Sequence, residues 1–181
     1  MPEAVAVDYS AALRTIAYMR IYLVRHALAE DHNPAGDAER TLTPKGRLRM
    51  AAAAKGLRDL KVRPDLIVTS PLRRALETAA ILAEELGGIR LEELRELGAG
   101  PYAPADILAA LVPYHNLKEL ALVGHQPGLG ELASFMLTGS PSNCRIEFKK
   151  GAVACLEHAP DLGQDRYTLI WSLPPKVLRS L

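Results

Sequence analysis

The chain has 181 residues, 49% of them hydrophobic and 24% charged, with a formal net charge of +1. That length fits one domain with a single core, and near-neutrality excludes a broad electrostatic affinity for nucleic acid, so basic residues matter only where they cluster. Cys144 and Cys155 form no CxxC pair, which excludes a secreted disulfide framework and a thiolate metal site, and both are expected to be small buried thiols.

Residues 1–18 place Asp8 and Arg14 among apolar neighbours, leaving no stretch long enough to span a membrane or act as a signal core. They read as an N-terminal extension without a functional role, ahead of a domain over residues 19–181 that is expected to be cytoplasmic. The run IYLV, Ile21 to Val24, is the first strand and ends on Arg25-His26. A polar loop punctuated by Pro34 and Gly36 follows and holds Arg40. Thr43-Pro44 then supplies an N-cap and a proline in the first turn of a helix that runs to about Leu60.

DLIVTS, Asp65 to Ser70, is the second strand, and Ser70-Pro71 repeats the cap-and-proline device for a second helix. Leu72, Ala75, Leu76, Ala79, Leu82 and Leu86 give that helix an apolar stripe, and Gly87-Gly88 stops it. A short helix is expected over Ala105 to Val112. LALVGH forms a third strand ending on Gly124-His125, followed by the helix GLGELASFMLTG, which Gly139 closes. RIEF, AVACLEH and RYTLIWSL read as short antiparallel strands completing the sheet, and the tail LPPKVLRSL as leaving it. The order describes an α/β protein: a three-layer α/β/α sandwich around a mixed, mainly parallel central sheet.

If the three histidine- and arginine-bearing strands are parallel neighbours, their carboxyl ends share one crevice, the usual ligand site of open α/β sheets. Arg25, His26, Arg74 and His125 would line it and bind an anion. Neutral imidazole is a good nucleophile near pH 7, and the spread charge of a phosphoryl group is well matched by arginine forks and by the amino end of a helix. Arg73 reads instead as an exposed helical charge able to pair with Glu77 at i+4, and Arg47 and Arg49 as further helix-face charges. His32, His115 and His158 lack metal-ligand spacing and are expected to be solvated; no metal and no cofactor are implied.

Three motifs in order, LVRHALAE, TSPLRRALETA and LVGHQPGL, resemble those of the histidine phosphatase superfamily, the phosphoglycerate mutase-like group, over roughly Met19 to Trp171. The short length, the LTPKG segment and the SPLRRA and GHQP strings are most similar to its SixA-type phosphohistidine phosphatases. The resemblance implies a phosphoglycerate mutase-like fold and a metal-independent hydrolase. His26 would be the phosphorylated nucleophile, and Arg25, Arg74 and His125 would hold the phosphoryl oxygens. Arg40 sits where the subgroup carries an additional phosphate-reaching arginine, and Glu96, in LRELG, where larger members carry the proton donor; Glu93 is its neighbouring candidate.

The family's glycine after the histidine is Ala27 here, a small departure that leaves the charged residues untouched. The implied substrate is phosphohistidine on a signalling phosphotransfer protein, with no nucleic-acid or membrane partner. A small phosphate ester is the enzymatic alternative, and a non-catalytic phosphoprotein-binding module is the alternative of a different class.

Overall fold

The computed structural model describes residues 19–158 and 167–181. The 1–18 extension lies outside the described residues. A six-stranded sheet has the order β3-β2-β4-β1-β5-β6, built from β1 (Arg20–Arg25), β2 (Leu66–Thr69), β3 (Leu91–Glu93), β4 (Glu119–Gly124), β5 (Val153–His158) and β6 (Tyr167–Leu173). β3, β2, β4 and β1 pair in parallel, whereas β5 and β6 add antiparallel at one side. This is the expected mixed, mainly parallel arrangement, and β2, β4 and β1 are indeed adjacent.

Side-chain alternation along the central strands assigns each sheet face its own core. Ile21 and Leu23 of β1, Leu66 and Val68 of β2, and Leu120 and Leu122 of β4 pack under α3 (Pro104–Ala110) and α4 (Gly128–Thr138). The intervening Tyr22, Val24, Ile67, Ala121 and Val123 pack under α1 (Pro44–Asp59) and α2 (Arg73–Glu85). Helices on both faces complete the three layers. Because the strands are buried on both faces, they read in sequence as continuous apolar runs.

Thr43 caps α1 as expected, its hydroxyl accepting from the Gly46 amide at 3.0 Å. Gly87 and Gly88, at φ 106° and 81°, follow the end of α2, and Gly139 closes α4 in the left-handed conformation. Ser70 departs from expectation. It does not cap α2, whose N-cap is Leu72 without a side-chain bond; the Ser70 hydroxyl accepts from the Leu72 amide and meets His125.

RIEF is not a strand. The carbonyls of Ile146 and Phe148 are taken by the side chains of Gln126 and Arg25, so this segment is tied across the strand ends instead of joining the ladder. The three-residue β3 was not foreseen, because LEE carries no apolar alternation. Cys144 is exposed, in contrast to the buried Cys155, and His158 is buried at the edge of Tyr167 where solvation was expected.

The tail leaves the sheet as a one-turn helix, α5 (Pro175–Leu178), and fully buries Leu178 against α1. Gly56 permits this approach, since a Cβ there would stand 1.9 Å from the Leu178 carbonyl oxygen. Alanine would gain up to about 1 kcal/mol of helix propensity, but overpacking against immovable backbone costs roughly 1–3 kcal/mol. Gly56→Ala is therefore expected to be net destabilising, seen as a lower denaturant midpoint; an unchanged or raised midpoint would show that the tail contributes nothing.

Candidate active site

Register brings the site residues to one edge. Arg25 pairs with Gly124 across β1 and β4, and Thr69 with Val123 across β2 and β4. His26 and His125 therefore leave adjacent strands at the same level, and Ser70 leaves the third strand one residue behind them. The His26 amide donates to the Gly124 carbonyl at 3.0 Å, and the two imidazole centroids lie 5.1 Å apart.

His26 is 6% exposed. Its Nδ1 lies 2.7 Å from the Ala27 carbonyl oxygen, which can only accept, so Nδ1 carries the proton and Nε2 keeps its lone pair. Nε2 makes no hydrogen bond within the protein among the described residues. On the opposite ring, His125 Nε2 lies 2.8 Å from Ser70 Oγ. With that hydroxyl already accepting from Leu72, we assign its hydrogen to Nε2 and the His125 proton to Nδ1. His125 Nδ1 is buried without a partner, and so is Arg25 Nε. Two orphaned polar nitrogens at one strand edge are costly unless an acceptor occupies the space they face.

Arg74 is 6% exposed, whereas Arg73 lies on the outside and pairs with Glu77 at 3.4 Å as expected. The Arg74 guanidinium donates to the Asp37 carbonyl at 2.7 Å and to its carboxylate at 3.0 Å. Arg40 donates to the same carboxylate at 2.7 Å and to the Glu30 carbonyl at 2.7 Å. Asp37 thus links the two arginines, a role that sequence reasoning missed; its position three residues before Arg40 was the available signal. Thr78 was also missed. Its hydroxyl accepts from the Ala27 amide at 3.0 Å and donates to the Arg74 carbonyl at 2.6 Å, fixing the turn after β1 against α2. Ala27 itself is 3% exposed and its methyl packs in the core beneath α1 and α2.

A cavity of about 330 Å³ opens beside these groups and includes Arg74, Glu96, His125 and Gln126 in its walls. A wider groove adjoins it, with Arg25, Gln126 and Phe148 among its residues. Neither Arg40 nor His26 is among the residues lining them. Glu96 reaches the cavity but pairs with Arg95 at 2.8 Å, which holds its carboxyl below the ordinary range. Glu93 is exposed on β3. Among the described residues no group of three or more His, Cys, Asp or Glu could hold a metal ion.

Burial pushes His26 down to about 4, with Arg74, Arg25 and Lys150 acting in the same direction against the Ala27 hydrogen bond. Burial likewise pushes His125 down to about 3, aided by His26 and Arg74. Both rings are therefore neutral in the folded chain where they would be protonated in the unfolded one. Between about pH 6.5 and pH 4 the unfolded state binds more protons, so stability rises with pH across that window and is lost as pH falls through it. Each ring contributes a slope of at most about 1.4 kcal/mol per pH unit. Denaturant midpoints measured from pH 7 to pH 4.5 are expected to show this slope, diminished in a His26→Gln, His125→Gln variant; a flat native profile would contradict the neutral pair.

A mixed α/β sheet that gathers two neutral histidines and two arginines at one carboxyl edge defines a protein built to receive a phosphate-like anion. Residues 21–110 match the histidine phosphatase superfamily, branch 1. An uncharacterized protein of Picosynechococcus is 35% identical over 147 residues, covering 75% of this chain and 82% of its own. The chain belongs to the histidine phosphatase superfamily.

A provisionally assigned phosphohistidine phosphatase SixA from Agrobacterium tumefaciens shares the fold with a TM-score of 0.70 at 27% identity, over 87% of this chain and 99% of that one. A protein histidine phosphatase SixA complexed with tungstate gives a TM-score of 0.73 at 23% identity, over 88% and 99%. A provisionally named phosphoserine phosphatase of Hydrogenobacter thermophilus is 38% identical over 88 residues, 46% of this chain and 42% of its own. No helix among the described residues is long and apolar enough to cross a membrane.

Proposed function

We propose that the chain is a metal-independent phosphohistidine phosphatase working by double displacement. The observation that carries this reading is the unbonded His26 Nε2 in the same strand-edge cluster as the orphaned Arg25 Nε and His125 Nδ1. In the first step His26 Nε2 attacks phosphorus and the bond to the leaving group breaks; the departing nitrogen takes up a proton from solvent water. In the second, water attacks the phosphoryl group, the P–Nε2 bond breaks, and inorganic phosphate and neutral His26 remain.

Arg25, Arg74 and His125 hold the phosphoryl oxygens and stabilise the charge that builds on them. Arg40 acts through Asp37, keeping Arg74 in place, although phosphate in the site would compete for the same donors. Glu96 sits on the cavity wall with a carboxyl that is a weak proton donor near neutral pH, its pKa being lowered by Arg95. That suits a phosphoramidate, whose leaving imidazole protonates readily, better than an alkyl ester. The wide groove beside the cavity, lined by Arg25, Gln126 and Phe148, suits a phosphorylated histidine carried on the surface of a signalling phosphotransfer protein.

A small phosphate ester is the second reading, favoured by the 38% identity with the phosphoserine phosphatase relative. Parallel measurement of kcat/KM on a histidine-phosphorylated phosphotransfer domain and on phosphoserine separates the two. The phosphoprotein is expected to be the better substrate by at least about tenfold, one 1.4 kcal/mol step in barrier. A preference for phosphoserine would reverse the assignment, and turnover of neither would indicate a binding module.

A further inference from the structure

A third cavity, about 110 Å³, lies immediately beyond His26 on the α1 side of the sheet. Ala27, Met50 and Pro175 are among its apolar walls, and Arg49, Lys150 and Arg179 bring three cations to it from α1, the approach to β5 and the residue after α5. No acidic residue lines it. None of the three cations makes an ion pair within the protein among the described residues, whereas Arg47 on the same helix does. On a chain whose formal net charge is +1, three unpaired cations converging on one hollow form a local anionic recognition field.

The hollow is coupled in space to the phosphate site. Gly151, next to Lys150, donates its amide to the carbonyls of Arg25 and His26, both at 3.1 Å. The Lys150 charge also acts on the His26 imidazole. In volume the hollow holds about three or four waters at their liquid packing, enough for one carboxylate side chain and too little for a folded element. The tail contributes to its wall: α5 packs against α1 at Gly56, and Arg179, the residue after α5, lines the hollow together with Arg49 of α1.

We propose that this pocket, framed by Arg49, Lys150 and Arg179, is a docking subsite for an acidic side chain of the protein substrate, beside the residue that carries its phosphoryl group. The proposal rests on the phosphohistidine reading above. Steering by such a subsite raises the encounter rate and fixes the approach of the substrate, and both effects weaken with salt.

The test uses two synthetic phosphohistidine peptides of equal length, one flanked by glutamates and one by glutamines, with an aryl phosphate as the small control. At low salt the native chain is expected to favour the acidic peptide by about tenfold in kcat/KM, a preference that shrinks at high salt. Arg49→Glu with Arg179→Glu is expected to abolish or invert it while aryl phosphate turnover stays within about twofold of native; Arg49→Gln with Arg179→Gln is expected to give an intermediate loss. Equal turnover of both peptides by the native chain would overturn the subsite alone. A preference surviving charge reversal, or an equal fall in aryl phosphate turnover, would overturn it as well. Hydrolysis of the aryl phosphate with no turnover of either peptide would instead sink the phosphohistidine reading, and the subsite with it.

Discussion

His26→Ala is expected to eliminate turnover, with kcat reduced by roughly four orders of magnitude or more, because the covalent intermediate has no other acceptor in the site. His125 is the nearest alternative, at 5.1 Å between centroids. Its Nε2 is engaged with Ser70 and its Nδ1 carries the proton in the assigned tautomer, so neither nitrogen offers a lone pair to phosphorus. The same variant is expected to lose the labelled species that denaturation traps after brief exposure to radioactive substrate, a species that is acid-labile and base-stable in the native chain. Alanine leaves the Ala27 carbonyl without its donor but removes a buried imidazole, so the fold should persist and the melting curve provides the control. Turnover near the native rate in this variant would end the nucleophile assignment; trapping of label on His125 instead would exchange the two histidines' roles.

The sheet was legible because its parallel strands are buried on both sides. IYLV, LIV and LALV are apolar without interruption, the pattern expected of strands covered on both faces. Proline and glycine punctuation bounded the helices between them. RIEF failed for a reason that local sequence does not contain: its carbonyls are satisfied by Gln126 and Arg25, side chains 20 and 123 residues away. Ser70-Pro71 failed similarly, since Ser70 exchanges a local capping role for a distant partner, His125. In both cases a strand-edge side chain of the functional site overrode a sound local rule, which is where such rules are expected to break.

The candidate site was legible in its charges and illegible in its supports. His26, His125, Arg25 and Arg74 announce themselves by titratable or cationic chemistry at strand ends and a helix start. Asp37 and Thr78 do not, because an aspartate in a polar loop and a threonine in an alanine-rich helix are unremarkable until their partners are known. Arg40 shows the difference: its motif position suggested contact with phosphate, and its geometry ties it to Asp37 and to the Glu30 carbonyl. Glu96 is nearer to expectation in place than in chemistry, being on the cavity wall but paired with Arg95.

Arg74→Ala is expected to lower kcat/KM by about 10²–10³, the loss associated with removing one preorganised donor from a developing anion. The guanidinium is buried, so its charge is only weakly screened by water, and its planar fork can meet two phosphoryl oxygens at once. Part of any loss could come from releasing the Asp37 loop, which two hydrogen bonds from Arg74 secure. Arg74→Lys measures what positive charge alone supplies, because it keeps the charge but offers neither the fork nor its reach to both Asp37 acceptors. Lysine is expected to recover less than a tenth of native kcat/KM if phosphoryl contact by the fork dominates. Asp37→Ala supplies the complementary arm: it frees the same loop while leaving the guanidinium in place, and should cost far less than Arg74→Ala. Equal losses in Asp37→Ala and Arg74→Ala would make Arg74 an anchor for the loop and remove it from the phosphate.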